Sequence, residues 1–401
     1  MNFTQETLLK ILTESIHKRK YEIEDIRNVD FKELFNLSVQ HNIVSLIYYG
    51  LSGTQSVKQI PNEVLNSFKK DTFISSSYQI SHIRNITNLL KEFSNNNIEA
   101  VALKGLVVRS FYPRPEFRTM SDADIVVKEE DINKAINLLE KLGYVETGRS
   151  DVDIGFININ SRVELHWNLI SKDKLKGGEE FEKQIWNSLI EVSIEASKVL
   201  SLNYEDLAVH LMVHLLKHLS YKGCGIRYFC DIVLLLENME DKINWNSFMN
   251  KVREYNLEKG TRIILYICKR YLGMNINYSI NIEDEINEEY LQILMDDIMK
   301  HGVFGKSNKE EELARSLAFY SNNELSSFKK YIRIFIPEKE KIMINYPYSN
   351  KYKILLPIAY IHRLIKWCLD KNVAIDSKKA ICTKGLSIIK ERKPIMDWLE
   401  L

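Results

Sequence analysis

Residues 118–127 read Arg118-Thr119-Met120-Ser121-Asp122-Ala123-Asp124-Ile125-Val126-Val127, and this run decides the fold. Its second half is the clearest strand signal in the chain, with β-branched residues following two carboxylates. Side chains alternate faces along a strand, so Asp122 and Asp124 are expected on one face, with Ala123, Ile125 and Val127 on the other, in a core. Two carboxylates at i and i+2 repel one another, and a divalent cation is the compensation that suits them. Mg²⁺ takes oxygen ligands and commonly combines one or two protein carboxylates with substrate phosphates.

Outward from this run the pattern is that of a small α/β unit. Upstream, Ile98–Leu103 is a short apolar run closed by Lys104-Gly105, which predicts a buried strand entering a turn and a helix. A glycine there lets backbone approach a phosphate, and the helix N-terminus that follows favours an anion. Downstream, Asp131–Leu142 is an amphipathic helix stopped by Gly143. Strands are then expected over Ile154–Ile159 and Arg162–His166, joined by a two-residue Asn160-Ser161 turn. The last of them offers a third carboxylate, Glu164, in phase with His166, and Asp151 and Asp153 compete with it.

Residues 1–80 carry helical periodicity, and so does the chain from about 201 to its end, with candidates at Leu207–Leu219, Arg227–Glu237, Trp245–Tyr255, Lys259–Leu272 and 354–371. The expected class is therefore α+β. A small mixed-sheet core at 81–200 lies between a helical segment at 1–80 and a helical domain at 201–401.

At this point the sequence resembles a family. Leu103-Lys104-Gly105, the 118–127 run, Leu142-Gly143-Tyr144 and Val163-Glu164-Leu165-His166-Trp167 look like the uncharacterised bacterial nucleotidyltransferases of the DNA polymerase beta superfamily. The resemblance continues into Gln40–Tyr49 and Arg227–Ile232 and fades toward the C-terminus. It implies that Asp122, Asp124 and Glu164 hold two Mg²⁺ ions, which align an acceptor hydroxyl with the α-phosphate of a nucleoside triphosphate. ATP is the default donor. Lys104-Gly105 stands in place of the superfamily's Gly-Ser turn, so Lys104, Gly105 and Arg118 are expected to hold the triphosphate. His166 either orients Glu164 or touches substrate.

The acceptor is expected to be a small molecule, peptide or protein. Two other readings carry the same residues: a non-catalytic nucleotide-binding scaffold, and a toxin–antitoxin type adenylyltransferase acting on a partner protein. His210, His214 and His218 share a helix face, which reads first as packing. Arg227 and Asp231, four apart, read as an intrahelical ion pair. Gly302–Ser307 superficially suggests a phosphate loop, but the spacing requires Gly at 300, where Lys300 stands.

Composition narrows the class further. The 401 residues carry 55 Lys+Arg and 54 Asp+Glu, with 15 Gly and 7 Pro, which excludes collagen-like and disordered chains. Near-neutrality argues against a polybasic nucleic-acid binder, although residues 351–401 hold 11 basic against 5 acidic groups. Five scattered cysteines with no CxxC pair suit reduced thiols, a charged N-terminus lacks a signal-peptide core, and no run approaches a membrane span. A cytoplasmic protein is expected.

Overall fold

The structure, a computed structural model, describes residues 1–170, 177–221, 223–279, 282–302, 339, 342–343, 346–369 and 392–401. The Gly302–Ser307 segment beyond Gly302, the charged stretch 306–330 and most of the basic C-terminal region fall outside the described residues.

The fold is α+β. Helices α1 (Phe3–Ile16), α2 (Phe31–Gln40), α3 (Val44–Leu51) and α4 (Asn62–Asn95) precede the first strand. Their starts follow local chemistry. Asn2 closes a reciprocal capping box with Gln5 at the head of α1, and the Asp30 carboxylate accepts from the first-turn amides of α2. α4 is 34 residues long and runs unbroken through positions 80 and 81. It burns off its last turn at Asn95-Asn96-Asn97, where Asn97 takes a left-handed φ of 55°.

One mixed sheet of seven strands follows, in the order β3-β4-β5-β2-β1-β7-β6. β1 (Ala100–Ala102) is antiparallel to β2 (Ala123–Val127). Between them lie the short helix α5 (Gly105–Val108) and two single-turn 3₁₀ segments. After β2 come α6 (Ile132–Lys141), then β3 (Val145–Arg149), β4 (Asp153–Ile157) and β5 (Arg162–His166) as an antiparallel meander. β5 pairs parallel with β2. The loop before β5 is a four-residue turn rather than the expected two-residue one. Asn158 N donates to the Ser161 carbonyl at 3.0 Å, and the Asn158 side chain accepts from the Asn160 and Ser161 amides.

Helix α7 (Glu179–Gln184) leads to the hairpin β6 (Ile190–Ile194) and β7 (Ser197–Ser201), and β7 adds in parallel to β1. Neither strand, nor β3, is among the expected elements. β3 is exposed along its whole length, so it carries no apolar alternation to read. The chain continues as α8 (Tyr204–Tyr221), α9 (Arg227–Met239), α10 (Trp245–Glu254), α11 (Glu258–Leu272) and α12 (Glu288–His301). The first four match helix candidates of the sequence within a turn, and α12 lies in the C-terminal stretch expected to be helical. N- and C-terminal helices pack together: Thr13 Oγ1 donates to the Tyr271 carbonyl at 3.1 Å, and His17 meets Glu237 at 3.1 Å.

The chain divides into two compact units. One comprises Met1–Leu219, Gly223–Lys306 and Leu399–Leu401, and holds the whole sheet. The other comprises Ser220–Lys222 and Ser307–Trp398. Its helix Leu356–Leu369 presents Ile358, Ile361 and Ile365 to solvent, each a little over half exposed. No helix among the described residues is long and apolar enough to cross a membrane.

Candidate active site

The site is set by strand register. Parallel pairing places Asp124 beside Glu164 and Val126 beside His166, while Ala123, Ile125, Val163 and Leu165 are buried under the sheet. Asp124 and Glu164 therefore emerge from one face as neighbours, held by a backbone whose other face is core. Asp122 lies one residue ahead of β2, and its carboxylate accepts from Ser121 Oγ at 3.1 Å.

Asp124 is the hub. Its Oδ1 accepts from Lys104 Nζ at 2.7 Å and pairs with His166 Nε2 at 3.1 Å, and the same imidazole nitrogen is 3.6 Å from Glu164. Ligand atoms of Asp124, Glu164 and His166 lie within 4.8 Å of one another, the group among the described residues able to hold a metal ion. The competing acids Asp151 and Asp153 are not in it.

An unusual backbone conformation at Lys104 aims its side chain at Asp124. The residue caps α5 at φ 48°, ψ −121°, a conformation that L-residues other than glycine rarely take. Such strain at a strand-to-helix turn is tolerated where it aims a side chain. Here it delivers a cation, 9% exposed, to a cluster of three acids.

The electrostatics follow from this arrangement. Burial opposes ionisation of Asp124, but Lys104 and His166 outweigh it and hold the carboxyl well below the usual range. The His166 contact lowers Glu164 against a smaller effect of burial. Burial, reinforced by the neighbouring Asp124 and Glu164 charges, pushes Asp122 up to about 6. Two internal cations thus serve three acids, and Asp122 carries the excess negative charge. Asp124 and Glu164 offer carboxylate oxygens and His166 a ring nitrogen to one divalent cation, while Asp122 lines the same cleft but stands outside that group of converging ligand atoms.

A cleft of about 170 Å³ opens over these groups, lined also by Gly105, Arg118, Arg227, His214, His218 and Tyr228. Typical small-ligand sites are roughly 300–1,000 Å³. The cleft is smaller than these, so it is sized for the phosphate end of a nucleotide and its counter-ions rather than for the whole molecule.

Arg118 lines the cleft, but its guanidinium is engaged. Nε and Nη2 donate to the two oxygens of Asp231 at 3.0 and 2.6 Å, and Tyr112 Oη donates to the same carboxylate at 2.6 Å. The expected Arg227–Asp231 pair is therefore absent, because Arg118 has taken the acid. Arg227 turns instead to the Thr119 carbonyl. Gly105 matters for packing: a Cβ there would lie 2.6 Å from Arg118 Nη1 and 2.7 Å from its Cζ. Since Asp231 and the Thr119 carbonyl fix that guanidinium, Gly105→Ala is expected to cost about 1–3 kcal/mol by overpacking. Urea unfolding midpoints of the two proteins check this.

The histidine helix divides. His210 is 1% exposed and buried behind the site, as packing predicts, whereas His214 and His218 reach the cleft and His218 stacks on Tyr228 at 5.6 Å. Tyr228 and Arg227 also line the cleft, and the sequence signals them only through their place in the Arg227–Ile232 run.

The profile of the uncharacterised nucleotidyltransferase family matches residues 27–273, more than half of the chain, and the protein belongs to that family. The matched span contains all the strands and every residue of the cleft. No curated protein matches the sequence. Among solved structures, similarity is found to the antibiotic-resistance factor ANT(2'')-Ia, with 11% identity, 44% of this chain and 92% of that one covered, and a TM-score of 0.35. A nucleotidyltransferase-like antigenic protein from Paracoccidioides brasiliensis is similar at 14% identity, with 50% and 95% covered and a TM-score of 0.33.

Proposed function

We propose that the protein transfers a nucleoside monophosphate from a nucleoside triphosphate, ATP by default, to a hydroxyl group of a small molecule, peptide or protein, releasing pyrophosphate. The observation that carries this reading is the register that sets Asp124 beside Glu164, with Asp122 and Lys104 at the same cleft. Asp122, Asp124 and Glu164 are the residues that would hold Mg²⁺, with His166 orienting Asp124 and Glu164 through its Nε2. Bound there, the metal neutralises phosphate charge and lowers the pKa of a coordinated hydroxyl.

The protein's own groups do the rest. The acceptor oxygen bonds to the α-phosphorus as the bond from that phosphorus to the bridging oxygen breaks, and pyrophosphate departs with the electron pair. Glu164, ionised at neutral pH and more exposed than Asp124, is the group that would accept the hydroxyl proton. Lys104, which lines the same cleft, would meet the charge of the transferring phosphate as a point charge.

Incubation with a panel of α-labelled triphosphates and candidate hydroxyl acceptors tests the reading. Label transfer with stoichiometric pyrophosphate is expected, and triphosphate binding without any turnover across the panel would mean a scaffold. Proton and metal compete for Asp122, so Mn²⁺ affinity is expected to fall about tenfold per pH unit below about 6. Titration calorimetry between pH 5 and 7.5 measures this, and Asp122→Asn should flatten the slope.

A further inference from the structure

We infer that Arg227, at the head of α9, forms an anion subsite of the cleft, which grips the two phosphates that leave as pyrophosphate. The inference rests on the nucleotidyl-transfer reading for the identity of that anion, but its residues are argued independently.

Arg227 is 5% exposed, and its place in the fold is costly. The acid four residues on, Asp231, is already held at two points by Arg118 and at a third by Tyr112. What remains to Arg227 is the carbonyl and hydroxyl of Thr119 and the Tyr228 ring. Its Nε is buried with no hydrogen-bond partner among the described residues. A buried guanidinium with an unpaired donor is unfavourable by itself.

Its position on the helix adds to this. Arg227 opens α9, a 13-residue helix, so it sits at the end where the macrodipole is already positive. The first-turn amides themselves are taken, Tyr228 N by the Gly225 carbonyl and Phe229 N and Cys230 N by that of Ile226, so the guanidinium is the group left to meet an anion. Arg118 adds a second guanidinium nearby, and burial followed by that like charge pushes the pKa of Arg227 down. Asp231 and the Tyr228 and Tyr112 hydroxyls offset part of this, but Asp231 is already shared with Arg118, and an anion in the cleft relieves the positive charge that is left.

The cleft supplies the place for it. Arg227 lines the same space as Asp122, Asp124 and Glu164, which makes the cleft bipolar. The acidic end suits a metal and the phosphate under attack. The Arg227 end suits the remaining two phosphates, whose charge rises as they leave. A planar guanidinium matches two phosphate oxygens in a way an ammonium does not.

Calorimetric titration of inorganic pyrophosphate with Mg²⁺ into the full chain tests this, comparing wild type, Arg227→Gln, Arg227→Lys and Asp124→Asn. Arg227→Gln is expected to weaken binding by tenfold or more and Arg227→Lys by about threefold, since charge survives without the fork. Wild-type affinity in Arg227→Gln overturns the inference and leaves nucleotidyl transfer standing. Should Arg227→Gln fail to fold, wild-type affinity in Arg227→Lys overturns it instead. Dependence on Arg227 with no nucleotide turnover, and no effect of Asp124→Asn, keeps the anion subsite while removing the nucleotidyl reading.

Discussion

Asp124→Asn is expected to abolish nucleotidyl transfer, lowering kcat by on the order of 10³-fold or more, while the protein stays folded. Asparagine keeps an oxygen for the Lys104 and His166 contacts, so the geometry of the hub is retained. What is lost is the charge. Lys104 is then a nearly buried ammonium facing a neutral amide, and a metal at this place loses its central carboxylate ligand. Steady-state transfer of label, with circular dichroism and melting curves on the same samples, separates the chemical effect from a structural one. Asp151→Asn serves as the control, because that exposed acid lies outside the metal-holding group and should transfer at the wild-type rate.

The largest stability effect is expected at Asp231. This carboxylate is 1% exposed and receives Arg118 at two points and the Tyr112 hydroxyl at a third. Burial works against the charge on Arg118, and Asp231 outweighs it and raises the guanidinium pKa further. Asp231→Ala leaves that cation and a phenol buried without their acceptor. Breaking a buried pair from one side costs about 3–5 kcal/mol, against a total stability of roughly 5–15 kcal/mol for a typical domain. A drop in melting temperature on the order of 10 °C follows for a unit of this size. Removing both charges tests the cause: Arg118→Met with Asp231→Leu should recover part of the loss, and an additive result would refute coupling. The same pair holds the guanidinium against Gly105, so Asp231→Ala should also loosen the turn that carries Lys104.

What the sequence made legible follows from local signals. The β2 run, the Lys104-Gly105 turn and Glu164 could be read because alternation and turn chemistry are written within a few residues. Register is a tertiary outcome, yet here one face of β2 and β5 is so apolar that a single alignment buries it, and Asp124 meets Glu164 as a result. β6 and β7 are hard to read because their alternating residues are mixed with Glu191, Ser193 and Lys198, and the pairing of β7 with β1 spans about a hundred residues. The same limit explains Arg227 and Asp231. Four-residue spacing on a helix predicts a pair, but Arg118 reaches Asp231 from 113 positions away, and no local pattern announces it.

The most direct measurement is diffraction from crystals grown with Mn²⁺ and a non-hydrolysable triphosphate analogue, with the metal located by its anomalous signal. Manganese bonded to the Asp124 and Glu164 carboxylates and to phosphate oxygens, with the terminal phosphates toward Arg227, is the predicted result. Manganese elsewhere, or a nucleotide bound outside the cleft with Lys104 still on Asp124, would contradict the account.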